Sequence, residues 1–288
     1  MKFTKMHGLG NDYVYINCFK YPKAIDSAES LSRYFSLPHI GIGSDGVIFI
    51  LPPKNNENDF QMRIFNSDGS EGKMCGNGIR CVGKYVYDNG LTTSKKLRIE
   101  TLSGVKKLVL FTDKNNQVNR IEVNMGKVQI KGLISLNILG RLIKGYNVSV
   151  GNPHFVVLPK QVFPSEVNDF GKAIEEDPYF APERTNVEFI ESVKDKDALR
   201  VRVWERGSGR TMACGTGACA SFAISNHIKM VSDKAKIILD GGELSVGYDE
   251  NKDILMTGLA TTVFTGNITD RQLKQIIQTK QIVERIRD

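Results

Sequence analysis

The chain has 288 residues, 41% of them hydrophobic and 25% charged, enough to bury one large core or two ordinary ones. No apolar run approaches the roughly 20 residues a membrane-spanning helix needs, and the opening MKFTKMHGLGND lacks the apolar stretch of a secretion signal, so a cytoplasmic protein is expected. The net charge of +7 comes from 39 Lys and Arg scattered among 32 acids without a dense basic block, which points to a solvated surface and away from a nucleic-acid partner.

Strand signals dominate the chain. YVYIN, GVIFI and FQMRIF combine β-branched or aromatic residues with alternation or short apolar runs, and the polar stretch PPKNNEND separates the last two. Then comes NSDGSEGKMCGNGIRCVG, where Cys75 stands in a glycine-rich turn and Ile79, Val82 and Val86 begin a helical stripe. KKLVLF, the loop TDKNNQ, IEVNM, NVSVG, HFVVL, NVEFI and RVRVW continue the strand pattern. A second cysteine turn, ERGSGRTMACGTGACAS, is followed by the strands KIILD and ILMTG. An amphipathic tail helix over 269–288 is then expected, with Leu273, Ile276, Ile277, Val283 and Ile286 on one face.

A self-comparison is the most informative reading. Placing Cys75 on Cys214, an offset of 139 positions, also places Arg63 on Arg202, Ile64 on Val203, Phe65 on Trp204, Gly76 on Gly215 and Gly78 on Gly217. GLGNDYVYI matches SVGNPHFVVL at nearly the same offset, 141 positions, with Asn11 facing Asn152. Many strands and few helices in two similar halves predict an α+β chain of pseudo-symmetric units, each a mostly antiparallel sheet around a central helix. The expected division is 1–117 plus about 262–288 for the first half and 118–261 for the second, with the active site in the cleft between them.

The chemistry of the repeated turn follows from its residues. Glycines permit close approach of a ligand to the backbone, and the first amides of a helix lack intrahelical partners and attract anions. The same field favours a thiolate, so Cys75 and Cys214 are both expected to be more acidic than a free cysteine at about 8.5. Each half then offers a thiol and half of a carboxylate cradle, which suits a two-base racemase: one thiolate removes an α-proton and the opposite thiol returns one. The sequence carries no Walker A motif, no complete dinucleotide fingerprint and no usual zinc spacing, so no cofactor and no metal are expected. Cys18, Cys81 and Cys219 lie in apolar patterns and read as core. His154 follows Pro153 and by itself reads as a turn residue with a structural hydrogen bond. Asn11 and Asn66 read as turn formers, and Arg206 as a surface ion-pair residue.

HGLGND, GIGSDG, NSDGSEGKMCGNG, GNPH, ERTNVEF and ERGSGRTMACGTGA together resemble the ordered motifs of the diaminopimelate epimerase family over about residues 1–266. The resemblance implies a pyridoxal phosphate-independent isomerase, without a cofactor, that interconverts LL- and meso-diaminopimelate for lysine and peptidoglycan synthesis. It further implies a homodimer. By the same resemblance Cys75 and Cys214 are the acid/base pair, and Gly76, Asn77, Gly215 and Thr216 hold the reacting carboxylate through backbone amides. Asn11, Asn66, Asn152, Asn186, Glu205 and Arg206 match positions that line the substrate site, and His154 and Glu205 match residues that assist the thiols. Two positions depart from the family pattern: Gly46 stands where some members carry a glutamine, and Arg210 where an acid is common; Arg210 is expected at the surface. A related racemase acting on another amino acid such as histidine, and a redox protein pairing the two cysteines, are the competing readings.

Overall fold

The computed structural model describes residues 1–278. In chain order the elements are β1 (Lys2–Gly8), β2 (Asn11–Asn17), α1 (Ala28–Phe35), β3 (Gly46–Leu51), β4 (Phe60–Asn66), β5 (Glu71–Gly72), α2 (Gly76–Asp88), β6 (Lys96–Thr101), β7 (Gly104–Thr112) and β8 (Val118–Gly126). There follow β9 (Gln129–Ile138), β10 (Arg141–Ser149), β11 (Pro153–Val157), α3 (Val167–Glu175), β12 (Asn186–Ser192), β13 (Ala198–Glu205), β14 (Gly209–Thr211), α4 (Gly215–His227), β15 (Lys234–Leu239), β16 (Gly242–Tyr248), β17 (Ile254–Leu259), β18 (Thr261–Asn267) and α5 (Asp270–Gln278). Two compact units result, one comprising 1–121 and, within the described residues, 259–278, the other 122–258.

In the first unit β18 pairs with β1 and β1 with β2, both antiparallel. β2 runs parallel to β3, β3 antiparallel to β4, β4 parallel to β6 and β6 antiparallel to β7, while the short β5 folds back on β4. Period-two alternation explains why β2 serves two layers. Val14 and Ile16 point to one face, where they pack with Leu31 and Phe35 of α1 and with Val47, Phe49 and Phe65. Tyr15 points the other way, its hydroxyl donating to the Gly78 carbonyl of α2 at 3.2 Å. α2 lies against β1, β2 and β7 with its first eight residues all buried. Gly83 lets it sit this deep, since a Cβ there would already stand 3.0 Å from both Leu108 and Leu110.

The second unit repeats the plan. β9 pairs with β10 and β10 with β11, antiparallel; β11 runs parallel to β12; β12 and β13 are antiparallel; β13 is parallel to β15; and β15, β16 and β17 close as an antiparallel run. β14 folds back on β13 as β5 does on β4. α3 covers one face through Phe170 and Ile174 against Phe155, Val187 and Phe189. α4 occupies the other face. Its sequence GTGACASFAISNH is apolar on nearly every side, which fits a helix buried all round rather than along one stripe.

The α+β class, dominated by antiparallel pairing with one buried helix per sheet, is therefore the observed one. Cys18, Cys81 and Cys219 are all buried, and burial pushes the Cys18 and Cys81 thiols up to about 11. The tail helix begins at Asp270, with Leu273 packed on the first unit's outer core. Its expected continuation, including Val283 and Ile286, lies outside the described residues. Among those residues no helix is long and apolar enough to cross a membrane.

Candidate active site

Cys75 is the N-cap of α2. Its backbone is extended (φ −132°, ψ 120°), and its sulfur accepts the Gly78 amide at 3.3 Å, satisfying one of the donors a helix start leaves open. The thiol in turn donates to Oδ1 of Asn11 at 3.3 Å, and that oxygen also accepts Nδ2 of Asn77 at 3.3 Å. Asn11 is aimed by Asp45, whose carboxylate takes Nδ2 of Asn11 at 2.7 Å and the Asp12 amide at 2.9 Å. Burial raises the pKa of Asp45, opposed first by the Asp12 amide. Asn77 is buried and receives a second contact from the fully buried Arg80, whose guanidinium also donates to the Gly76 carbonyl. The Arg80 cation thus stands against the two residues that follow Cys75. Nδ2 of Asn66, at the end of β4, donates to the Ser70 hydroxyl at 3.1 Å.

Tyr13, two residues beyond Asn11 on the same face of β2, brings its buried hydroxyl to Asn11 and Cys75. Burial first, and the sulfur second, raise its pKa well above the ordinary phenol value.

Cys214 is the N-cap of α4 in the same way (φ −113°, ψ 117°), with the Gly217 amide 3.3 Å from the sulfur. Its other neighbours have different chemistry. Thr216 Oγ1 is 3.4 Å from the sulfur and accepts Nδ2 of Asn152 at 3.4 Å. Asn152 Oδ1 is 3.1 Å from Nε2 of His154, and Nδ1 of His154 is 2.7 Å from Glu188 Oε1. His154 and Glu188 have no exposed side-chain surface. Glu205, at the end of β13, reaches Cys214 with its carboxylate and accepts the Thr211 hydroxyl at 2.5 Å.

This setting corrects the sequence-based expectation for Cys214. Burial, then the Glu205 and Glu188 charges, raise its pKa well above the ordinary thiol value, and the Thr216 and Gly217 hydrogen bonds only partly offset them. Burial likewise raises the pKa of Glu205. His154 also differs from its expected turn setting: it lies in β11, opposite Val148 of β10. Pro153 is tolerated beside it because it is the first residue of the strand.

The remaining expected residues divide by unit and by task. Asn186 is buried, with Nδ2 donating to the Pro153 carbonyl at 2.8 Å and Oδ1 accepting the Arg206 amide at 3.0 Å. The Arg206 side chain is exposed, with one contact to the Glu183 carbonyl at 2.6 Å. Arg210 is at the surface, paired with Asp240 at 3.0 Å. Gly46 has a steric explanation, since a Cβ there would meet the Phe65 carbonyl oxygen at 2.1 Å. Tyr13, Glu188 and Thr211 were missed by the sequence reading. For Glu188 a signal exists: a carboxylate in the otherwise apolar run NVEFI, two residues from Asn186 and therefore on its face of the strand. Among the described residues, no group of three or more His, Cys, Asp or Glu is placed to hold a metal ion.

A mostly antiparallel sheet packed around one buried helix, built twice in one chain, defines the fold class, and that fold is shared with a solved structure. A probable proline racemase from Agrobacterium radiobacter K84 superposes with a TM-score of 0.70 at 17% identity, covering 93% of either chain. Closer similarity lies elsewhere. The pattern describing diaminopimelate epimerase matches residues 3–131 and 146–263. The diaminopimelate epimerase of Parabacteroides distasonis is 46% identical over 271 residues, covering 93% of this chain and 98% of its own length. That of Acetivibrio thermocellus is 43% identical over 287 residues, covering 95% and 100%. The chain belongs to the diaminopimelate epimerase family.

Proposed function

We propose that this protein is an isomerase that interconverts LL- and meso-diaminopimelate by moving one α-proton, using Cys75 and Cys214 as the acid/base pair and no cofactor. The observation that carries the reading is the duplicated cap, a sulfur at the N-terminus of each unit's buried helix, in a chain of this family. One thiolate takes the proton from the α-carbon and the other thiol gives one back on the opposite face, so the stereocentre inverts with no net change in protonation. The amides of Gly76, Asn77, Gly215 and Thr216 hold the reacting carboxylate, where helix-start donors stabilise charge as it develops.

Glu205 and His154 assist the Cys214 side. A thiol with a raised pKa needs help to give up its proton, and Glu205 lies against it. Asn11, Asn66, Asn152, Asn186 and Glu205 line the substrate site, and Arg206 takes the distal carboxylate, whose planar geometry matches a guanidinium. The product serves lysine and peptidoglycan synthesis. We further propose a cytoplasmic homodimer; Leu133, Leu139 and Leu142, large apolar side chains left more than half exposed, support a buried partner surface.

The test is incubation of the pure protein in D2O with LL-diaminopimelate, histidine and a panel of other amino acids, followed by mass spectrometry. Deuterium is expected at the α-carbon of diaminopimelate. Exchange into a different amino acid with none into diaminopimelate would replace the substrate and keep the chemistry.

A further inference from the structure

Glu188 has no assigned part in the reaction, yet it is among the most enclosed ionisable groups in the molecule. It projects from β12 toward the first turn of α4, with no exposed side-chain surface. Gly217 makes the approach possible, because a Cβ there would lie 2.5 Å from Glu188 Oε1. Helix-start amides favour a carboxylate in this place. The other oxygen, Oε2, is buried without a hydrogen-bond partner among the described residues. An unpartnered buried oxygen costs on the order of 1–3 kcal/mol, and an apolar side chain of similar volume would fill the space without that cost. Packing alone therefore does not account for the carboxylate.

What the carboxylate does is hold His154. The parallel register sets His154 opposite Asn186 and Val156 opposite Glu188, so the ring and the carboxylate are diagonal neighbours on one face of the sheet. Nδ1 of His154 is 2.7 Å from Glu188 Oε1 and Nε2 is 3.1 Å from Asn152 Oδ1, so both ring nitrogens face oxygen acceptors. From Asn152 the chain of contacts runs through Thr216 to the Cys214 sulfur, each step 3.4 Å. The groups acting on Cys214 are thus Glu205 from β13, Glu188 from β12, and Thr216 and the Gly217 amide from its own helix, with His154 of β11 acting on Glu205 and held by Glu188 and Asn152. The first unit carries apolar and phenolic residues in these places: Glu188, opposite Val203 and against Gly217, corresponds to Ile48, opposite Ile64 and against Gly78, and His154 corresponds to Tyr13.

We propose that Glu188 is a positioning residue for the reaction at Cys214: it fixes the His154 ring and, through Asn152 and Thr216, the orientation of the Cys214 thiol and the place of its proton. This rests on the epimerase reading above for its kinetic arm, but two other measurements are independent of the substrate.

Glu188→Gln keeps the size and an acceptor for Nδ1 while removing the charge. α-Deuterium exchange is expected to fall about tenfold in kcat, with KM unchanged because Glu188 does not touch substrate. The onset of Cys214 alkylation with pH, followed by peptide mass spectrometry, should move to lower pH as a negative charge is lost. In the unaltered protein, His154 should show an Nδ1–H proton resonance protected from solvent exchange, assigned by its absence in His154→Asn. Full turnover in Glu188→Gln, or reduced turnover with an unmoved Cys214 onset, would overturn the positioning role. Absence of the protected resonance would do the same, even if Glu188→Gln failed to fold. Failure of the unaltered protein to exchange diaminopimelate would instead sink the substrate assignment, leaving the alkylation and resonance arms to decide on Glu188.

Discussion

Cys75 and Cys214 hold the same position on different helices: each is the N-cap, each is extended, and each sulfur accepts the amide three residues on at 3.3 Å. Their surroundings differ in chemistry, although each includes a carboxylate: Asp45 acts on Cys75 through Asn11. Beside Cys75 stand Asn11, Tyr13 and a buried guanidinium on the following two residues; beside Cys214 stand Glu205 and Glu188. The repeat therefore duplicates the cradle and breaks the symmetry of the charges around it.

Either thiol alone should be insufficient. Cys75→Ser and Cys214→Ser each remove one acid/base group while keeping a hydroxyl that can still cap the helix. Each is expected to lower epimerisation by about 10²–10⁴-fold, the usual scale for loss of a proton-transfer group. α-Deuterium exchange measures the loss, and circular dichroism should show the fold retained. Turnover near that of the unaltered protein in either variant would remove the two-thiol assignment.

The pH at which Cys214 becomes nucleophilic is set by what buries it. Its thiolate is disfavoured by burial first and by the Glu205 and Glu188 charges next, so alkylation should set in at higher pH than for an unhindered cysteine. Glu205→Gln removes the nearer charge and should lower that onset. The sign for stability follows: a group whose pKa is raised by folding retains its full contribution below the unfolded value and loses it as pH rises through the folded one. Thermal denaturation above pH 9 should accordingly show a steeper decline in the unaltered protein than in Cys214→Ala. An onset unmoved in Glu205→Gln would mean that the carboxylate does not govern the thiol.

Much of this was legible because it is local. Alternation in NDYVYIN places Val14 and Ile16 on one layer and Asn11, Tyr13 and Tyr15 on the other, and the glycine after each cysteine marks a helix start. The offset that aligns the two cysteines also aligns the strands that carry them, hence the repeated pairing order. What was not legible comes from distant strands. The helix-start field at Cys214 can be read from CGTG, but what reverses its effect, burial first and then the Glu205 and Glu188 charges, is supplied by the packing of α4 and by other strands. Similarly, Pro153 beside His154 looks like a turn until β10 pairs with β11 and makes it the first residue of a strand.

Two glycines at matching positions should differ in tolerance. At Gly217 a Cβ would meet Glu188 Oε1 at 2.5 Å, a buried atom held between His154 and the helix start. At Gly78 the nearest atom is the Ile48 Cδ1 methyl, also at 2.5 Å, but it is the far end of a side chain that can rotate. Gly217→Ala is expected to cost about 1–3 kcal/mol and to reduce exchange by displacing Glu188. Gly78→Ala should cost less. Denaturant titration gives the order, and equal losses would mean that the Glu188 carboxylate can shift as easily as a methyl.

Arg206 offers a separation of binding from chemistry. Its amide is pinned to Asn186 Oδ1 at 3.0 Å, so the backbone of this turn does not depend on the side chain. The guanidinium is exposed and, among the described residues, holds the Glu183 carbonyl at 2.6 Å, a contact it can exchange for a carboxylate that offers two oxygens to its planar fork. Arg206→Ala should therefore leave the fold and the Cys214 surroundings intact. It should raise KM for diaminopimelate by about tenfold to a hundredfold, matching the roughly 1.5–3 kcal/mol of a charge-assisted contact. Arg206→Lys should recover part of that loss, since an ammonium supplies the charge without the paired donors. Slow exchange into an amino acid lacking a distal carboxylate should not change. If Arg206→Ala instead lowered kcat equally for both kinds of substrate, the side chain would be acting on the reacting centre and not on the distal end.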